Sequence, residues 1–141
     1  STEFDLVLAD HKHLNALFAE IRMALAADSI DQAQLATLLE DLSVHILEHF
    51  AHEEREGLFE RIAALAPRLN DEAIKLKEQH RALGTSLESL CEPFERGALN
   101  SEQLQQLATE FTEFLIQFAA HEEGENRLLQ ETYDRDVGSK D

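Results

Sequence analysis

The chain has 141 residues, enough for one domain with a real core. Acidic residues outnumber basic ones 29 to 12, a formal charge of -17, which argues against nucleic acid and anionic membrane surfaces as partners. Cys91 is the single cysteine, so no internal disulfide can form, and a reducing, cytoplasmic setting is expected. No apolar run approaches the ~20 residues of a membrane span, and no signal-peptide pattern opens the chain. Gly and Pro are scarce, with 5 and 2 copies, and Trp is absent. Helix is therefore favoured throughout.

A first helix is expected over residues 3–27. Phe4, Val7, His11, Leu14, Phe18, Ile21 and Leu25 recur in steps of three and four. His11 thus takes a core slot, while His13, ~200° further round, points elsewhere. Asp28-Ser29 breaks the pattern, and Ser29 or Asp31 can cap the next helix. That second helix is expected over residues 31–66, with Gly57 inside it as a kink or irregular turn and Pro67 at its end. Its stripe runs Leu35, Leu38, Leu42, His45, His49, then His52 or Glu53, then Glu56.

The third helix starts at Asn70 or Asp71 and ends near Arg96-Gly97, with Pro93 close to the end. Ala73, Leu76, His80, Leu83, Leu87, Leu90 and Phe94 form its stripe. The fourth starts after Asn100-Ser101. Its stripe is Leu104, Leu107, Phe111, Phe114, Phe118, His121, Glu125 and Leu128. Residues 133–141 form a polar tail behind a domain of residues 1–132. Short connections make neighbouring helices antiparallel, so the expected fold is all-α, an up-down-up-down four-helix bundle. A shift of 69 residues places His11 on His80, Leu42 on Phe111, residues 51–54 on 120–123 and Glu56 on Glu125. The bundle thus reads as two similar helix pairs.

Counted from the loops at ~1.5 Å per residue, His11, His49, His80 and His121 fall within ~3–6 Å of one level. A single core histidine is most often a hydrogen-bonded structural residue. Four of them at one level, with glutamates one turn away on two helices, point to a metal, because buried imidazole and carboxylate are costly without a partner. His-x-x-x-Glu occurs at His49/Glu53 and at His121/Glu125, and i,i+4 spacing puts both groups on one face. Two such carboxylates can each bridge two cations, and four imidazoles supply two nitrogens to each. Ligands of this kind suit iron, and a structural zinc would need only four of them. Ferritin-like bundles use Glu-x-x-His, which is absent here.

Asp10-His11, His49-Phe50-Ala51-His52-Glu53-Glu54, Gln79-His80 and His121-Glu122-Glu123-Gly124-Glu125-Asn126 occur in the order of one known pattern. On these motifs the chain resembles the hemerythrin-like (HHE) domains over essentially its full length. The resemblance implies a non-haem di-iron centre held by His11, His49, Glu53, His80, His121 and Glu125. Glu53 and Glu125 would bridge the two iron ions, with an oxo or hydroxo group between them. Oxygen-carrying hemerythrins have a further histidine one turn after the helix-three ligand, where Gly84 stands here. The site is therefore closer to the four-His, two-Glu type of di-iron repair proteins and of a eukaryotic iron-sensing domain.

The repeat favours His52/Glu56 as the helix-two pair, and the family's His-Phe-x-x-Glu-Glu wording favours His49/Glu53. The second is preferred, with an inserted residue near Gly57 explaining the offset. His45 is expected to pack beside the ligands, or to stand in for the missing helix-three histidine. The function expected is binding or sensing of O2, NO or a related small oxidant at an open iron position. The alternative is a repair factor or oxidoreductase acting on NO or peroxide, or donating iron to damaged iron-sulfur clusters. No second cofactor motif or cysteine pair is visible, which favours binding over catalysis and leaves any redox partner unspecified.

Overall fold

The computed structural model describes the backbone of residues 3–138 and the side chains of residues 12–132 and 134. Among these residues there is no strand. The elements are α1 (Glu3–Ala26), α2 (Gln32–Arg55), α3 (Leu58–Leu65), α4 (Asn70–Cys91) and α5 (Ser101–Gly138), with short 3-10 segments at Pro67–Leu69 and Glu92–Arg96. No described helix is long and apolar enough to cross a membrane.

The helix ends are set by local chemistry. Asp31 accepts the Gln34 N–H through its carboxylate at 3.1 Å and caps α2. Asn100 accepts the Gln103 N–H at 2.8 Å while the Gln103 side chain accepts the Asn100 N–H at 2.9 Å, a reciprocal box that opens α5. The second helix expected from the sequence is two helices. α2 stops at Arg55, Gly57 adopts a left-handed φ of 67°, and its carbonyl accepts the Arg61 N–H at 3.0 Å as α3 begins. A side chain at that φ would crowd the following carbonyl, so glycine is the residue that permits the break. α5 continues to Gly138, through the start of the polar tail expected from residue 133. The Tyr133 side chain lies outside the described residues.

The chain packs as two units. The first comprises Ser1–Glu48 and Leu87–Phe111. Its interior is built from Leu14, Leu17 and Ile21 of α1, Leu35, Leu39, Leu42 and Ile46 of α2, Leu87 and Leu90 of α4, and Leu107 and Phe111 of α5, all buried. Gln32 ties this unit together by donating to the Leu99 carbonyl at 2.9 Å and accepting the Leu99 N–H at 2.8 Å.

The second unit comprises His49–Ser86 and Thr112–Asp141. α3 packs its buried Phe59 and Ile62 with Ala66, Leu69, Ala73, Leu76 and Leu128 into one apolar cluster. At ~1.5–3 kcal/mol for each fully buried large side chain, this cluster is a substantial support for the polar groups beside it. Those groups are His49, Glu53, His80, His121 and Glu125, all buried.

Candidate metal centre

The candidate ligands among the described residues belong to the second unit. The last turns of α2 carry His49 and Glu53, α4 carries His80, and α5 carries His121, Glu122 and Glu125. His49/Glu53 and His121/Glu125 are each one turn apart on their helices, so imidazole and carboxylate leave the same face.

The distances form a connected set. His80 Nε2 lies 3.2 Å from Glu53 Oε1 and 3.5 Å from Glu125 Oε2. His121 Nε2 lies 2.8 Å from the same Glu125 oxygen, and His49 Nε2 lies 3.6 Å from Glu53 Oε2 and 4.0 Å from Glu122 Oε1. Glu53 thus turns one oxygen to His80 and the other to His49. Among the described residues two groups could hold a metal ion: Glu53, His80, His121 and Glu125, and His49, Glu122 and Glu125. In each, the ligand atoms lie within 4.8 Å of one another, and Glu125 belongs to both. Two atoms bound to one cation at about 2.1 Å sit about 3 Å apart at right angles and about 4.2 Å apart on opposite sides. The separations here, from 2.8 to 4.0 Å, are of that size.

The imidazoles are oriented from behind. His121 Nδ1 lies 2.7 Å from Gln79 Oε1. An amide oxygen only accepts, so Nδ1 carries a hydrogen, and Nε2 is the ring nitrogen turned to Glu125. That Nε2 lacks hydrogen-bond alignment despite the 2.8 Å separation, as does Glu53 Oε1 at 3.2 Å from His80. Lone pairs converging without aligned hydrogens are what a cation between them would satisfy, so these residues fit a metal. His80 turns Nδ1 toward Glu54, 3.9 Å away. Its ring lies flat on Phe50, with centroids 3.9 Å apart and planes 8° from parallel, and meets the edge of Phe59 at 5.2 Å. Both phenylalanines are buried, so the imidazole plane is held by packing.

The charge balance agrees with the geometry. Burial, aided by the neighbouring Glu125, pushes the Glu53 carboxyl up to about 8. Burial acts the same way on Glu125, but the His121 and His80 imidazoles outweigh it and hold Glu125 below the usual carboxylate range. For His80, burial opposes the charge, yet Glu125 and Glu53 raise it to about 9. Without a cation, the cluster keeps its carboxylates together by retaining protons.

Of the residues singled out from the sequence, His49, Glu53, His80, His121 and Glu125 are brought together. The alternates His52 and Glu56 are exposed and outside both groups. His45 is half-buried in the first unit, where its ring meets that of His13 at a centroid distance of 4.5 Å. The His11 side chain lies outside the described residues. Glu122, Gln79 and Phe50 had no role assigned from the sequence. For Glu122 a signal existed: Phe118, Glu122 and Glu125 also step by four and three.

Buried histidines and glutamates gathered into groups able to hold a metal ion, on helices alone among the described residues, are the features of a cation-binding helical domain. The chain belongs to the hemerythrin family: the hemerythrin HHE cation-binding domain matches residues 2–133. No curated protein and no solved structure matches it significantly.

Proposed function

We propose that this domain is a di-iron protein that binds or senses O2, NO or a related small oxidant. The reading rests above all on one observation: two ligand groups share the Glu125 carboxylate. His80 and His121 would hold one iron and His49 the other, with His11 as the expected fourth imidazole. Glu125 and Glu53 would bridge, in keeping with the two oxygens of Glu53 turned to different imidazoles. The helices would be arranged as an up-down-up-down bundle of the family's kind.

Iron in such a site supplies a redox-active, Lewis-acidic centre that can take up a diatomic ligand. The protein's own part is positional. Gln79 fixes the tautomer of His121, Phe50 and Phe59 fix the plane of His80, and the buried phenylalanines Phe50, Phe114 and Phe118 limit water around the ligands. Cys91 is free, in keeping with a cytoplasmic setting.

Elemental analysis of the purified protein with its near-ultraviolet spectrum tests this. A pair of irons per chain and a reversible spectral change when the reduced protein meets O2 or NO are expected. A protein without bound iron, or His121→Ala retaining both irons, would refute it. Steady consumption of NO or peroxide with an added reductant would move the function to catalysis.

A further inference from the structure

We infer that Glu122 is itself a ligand, closing a coordination position on the iron held by His49. The inference rests on the di-iron reading and deepens it. His121 and Glu122 both sit one turn before Glu125, at i,i+4 and i,i+3, so α5 presents three donors from a single turn. The Glu122 side chain is only 12 % exposed, with Oε1 4.0 Å from His49 Nε2. The adjacent Glu123 is exposed. Glu122 also completes the group formed with His49 and Glu125. Glu122 is turned inward, with an oxygen within 4.8 Å of ligand atoms of His49 and Glu125, and a dication between them would attract both carboxylates.

The consequence is an asymmetric pair. By the di-iron reading each iron would have two imidazoles. The one beside His49 would have Glu122 as a further carboxylate, which would compete there with a small exogenous anion. Glu122 thereby sets both how firmly this iron is held and how readily the centre takes an added ligand.

The test compares wild type, Glu122→Gln, Glu122→Asp and the control Glu123→Gln, each loaded with iron(II) under anaerobic conditions. Release of iron to a chelator is followed in time, and azide is titrated into the oxidised proteins by absorption. Glu122→Gln should release one of its irons about 10- to 100-fold faster, the scale of losing a group that supports a metal site. It should also bind azide more tightly, while Glu123→Gln behaves as wild type. If Glu122→Gln unfolds, as judged by circular dichroism, the release curve of Glu122→Asp decides, since its shorter side chain should also loosen one iron. Wild-type release and azide affinity in the folded variants would overturn the role of Glu122 and leave the di-iron reading intact. A wild-type protein that takes up no iron would overturn both.

Discussion

Replacing Gln79 by leucine probes the centre from behind its ligands. The substitution keeps much of the side-chain volume but removes the acceptor 2.7 Å from His121 Nδ1. His121 is only 2 % exposed but Gln79 is itself exposed, so water can take up part of the lost bond. The cost to the stability of the metal-free protein is therefore at most that of a buried N–H left unpaired, about 1–3 kcal/mol. In the loaded protein the ring loses the bond that keeps its Nε2 lone pair facing Glu125. Loss of such an orienting bond costs about 10- to 100-fold in metal affinity, or about 1.4–2.8 kcal/mol. Chelator competition for iron(II) reads the second quantity, and urea denaturation of the metal-free protein reads the first. Gln79→Glu keeps an acceptor at the same reach and should hold iron at least as tightly as wild type. If Gln79→Leu kept wild-type affinity, or if Gln79→Glu lost as much as Gln79→Leu, the orienting role would be wrong.

The same geometry sets other expectations. Glu53→Gln should lose iron while His52→Ala and Glu56→Gln keep it, since only Glu53 is buried among the imidazoles; the reverse pattern in elemental analysis would relocate the site. Phe50→Ala removes the ring stacked on His80 and should lower stability by about 3–5 kcal/mol, with a loss below about 1 kcal/mol showing that the stack is incidental. Gly57→Ala must adopt a φ of 67° and should cost about 1–2 kcal/mol, measured by urea titration. Finally, the metal-free protein should lose stability as pH rises from about 6.5 to about 9. His80 is raised from 6.5 to about 9, so its contribution is complete below 6.5 and gone above 9. Glu53 is raised from 4.5 to about 8, so keeping it folded becomes steadily more costly across 4.5 to 8. Glu125 acts in the opposite sense, its contribution being lost on acidification below 4.5. Metal uptake displaces these protons, so iron affinity should rise over the same upper window; metal-free stability that increases with pH would contradict the assignment.

The stripes were legible because helical periodicity is local. Leu35, Leu42, Leu76, Leu83, Leu87, Phe111 and Phe114 recur every three or four residues, and all are buried. The caps at Asp31 and Asn100 were legible for the same reason, since a side chain reaching its own helix start needs no distant partner. Gly57 was visible as an irregularity, but its left-handed φ and the separate α3 were not, because glycine permits several conformations and neighbouring packing selects one.

Around the candidate centre the division falls elsewhere. Spacing alone supplied histidine and carboxylate on common faces of α2 and α5, because one turn of helix is a property of the backbone. Choosing His49/Glu53 over His52/Glu56 was beyond periodicity: three residues turn a helix by ~300°, leaving the two pairs only ~60° apart. Packing of the α2 end against α4 and α5 buries His49 and Glu53 and leaves His52 and Glu56 exposed. Gln79 behind His121, Phe50 flat on His80 and Glu122 beside His49 were likewise tertiary decisions. Each joins residues at least 30 positions apart in the chain, and proximity of that kind is created only when separate helices dock.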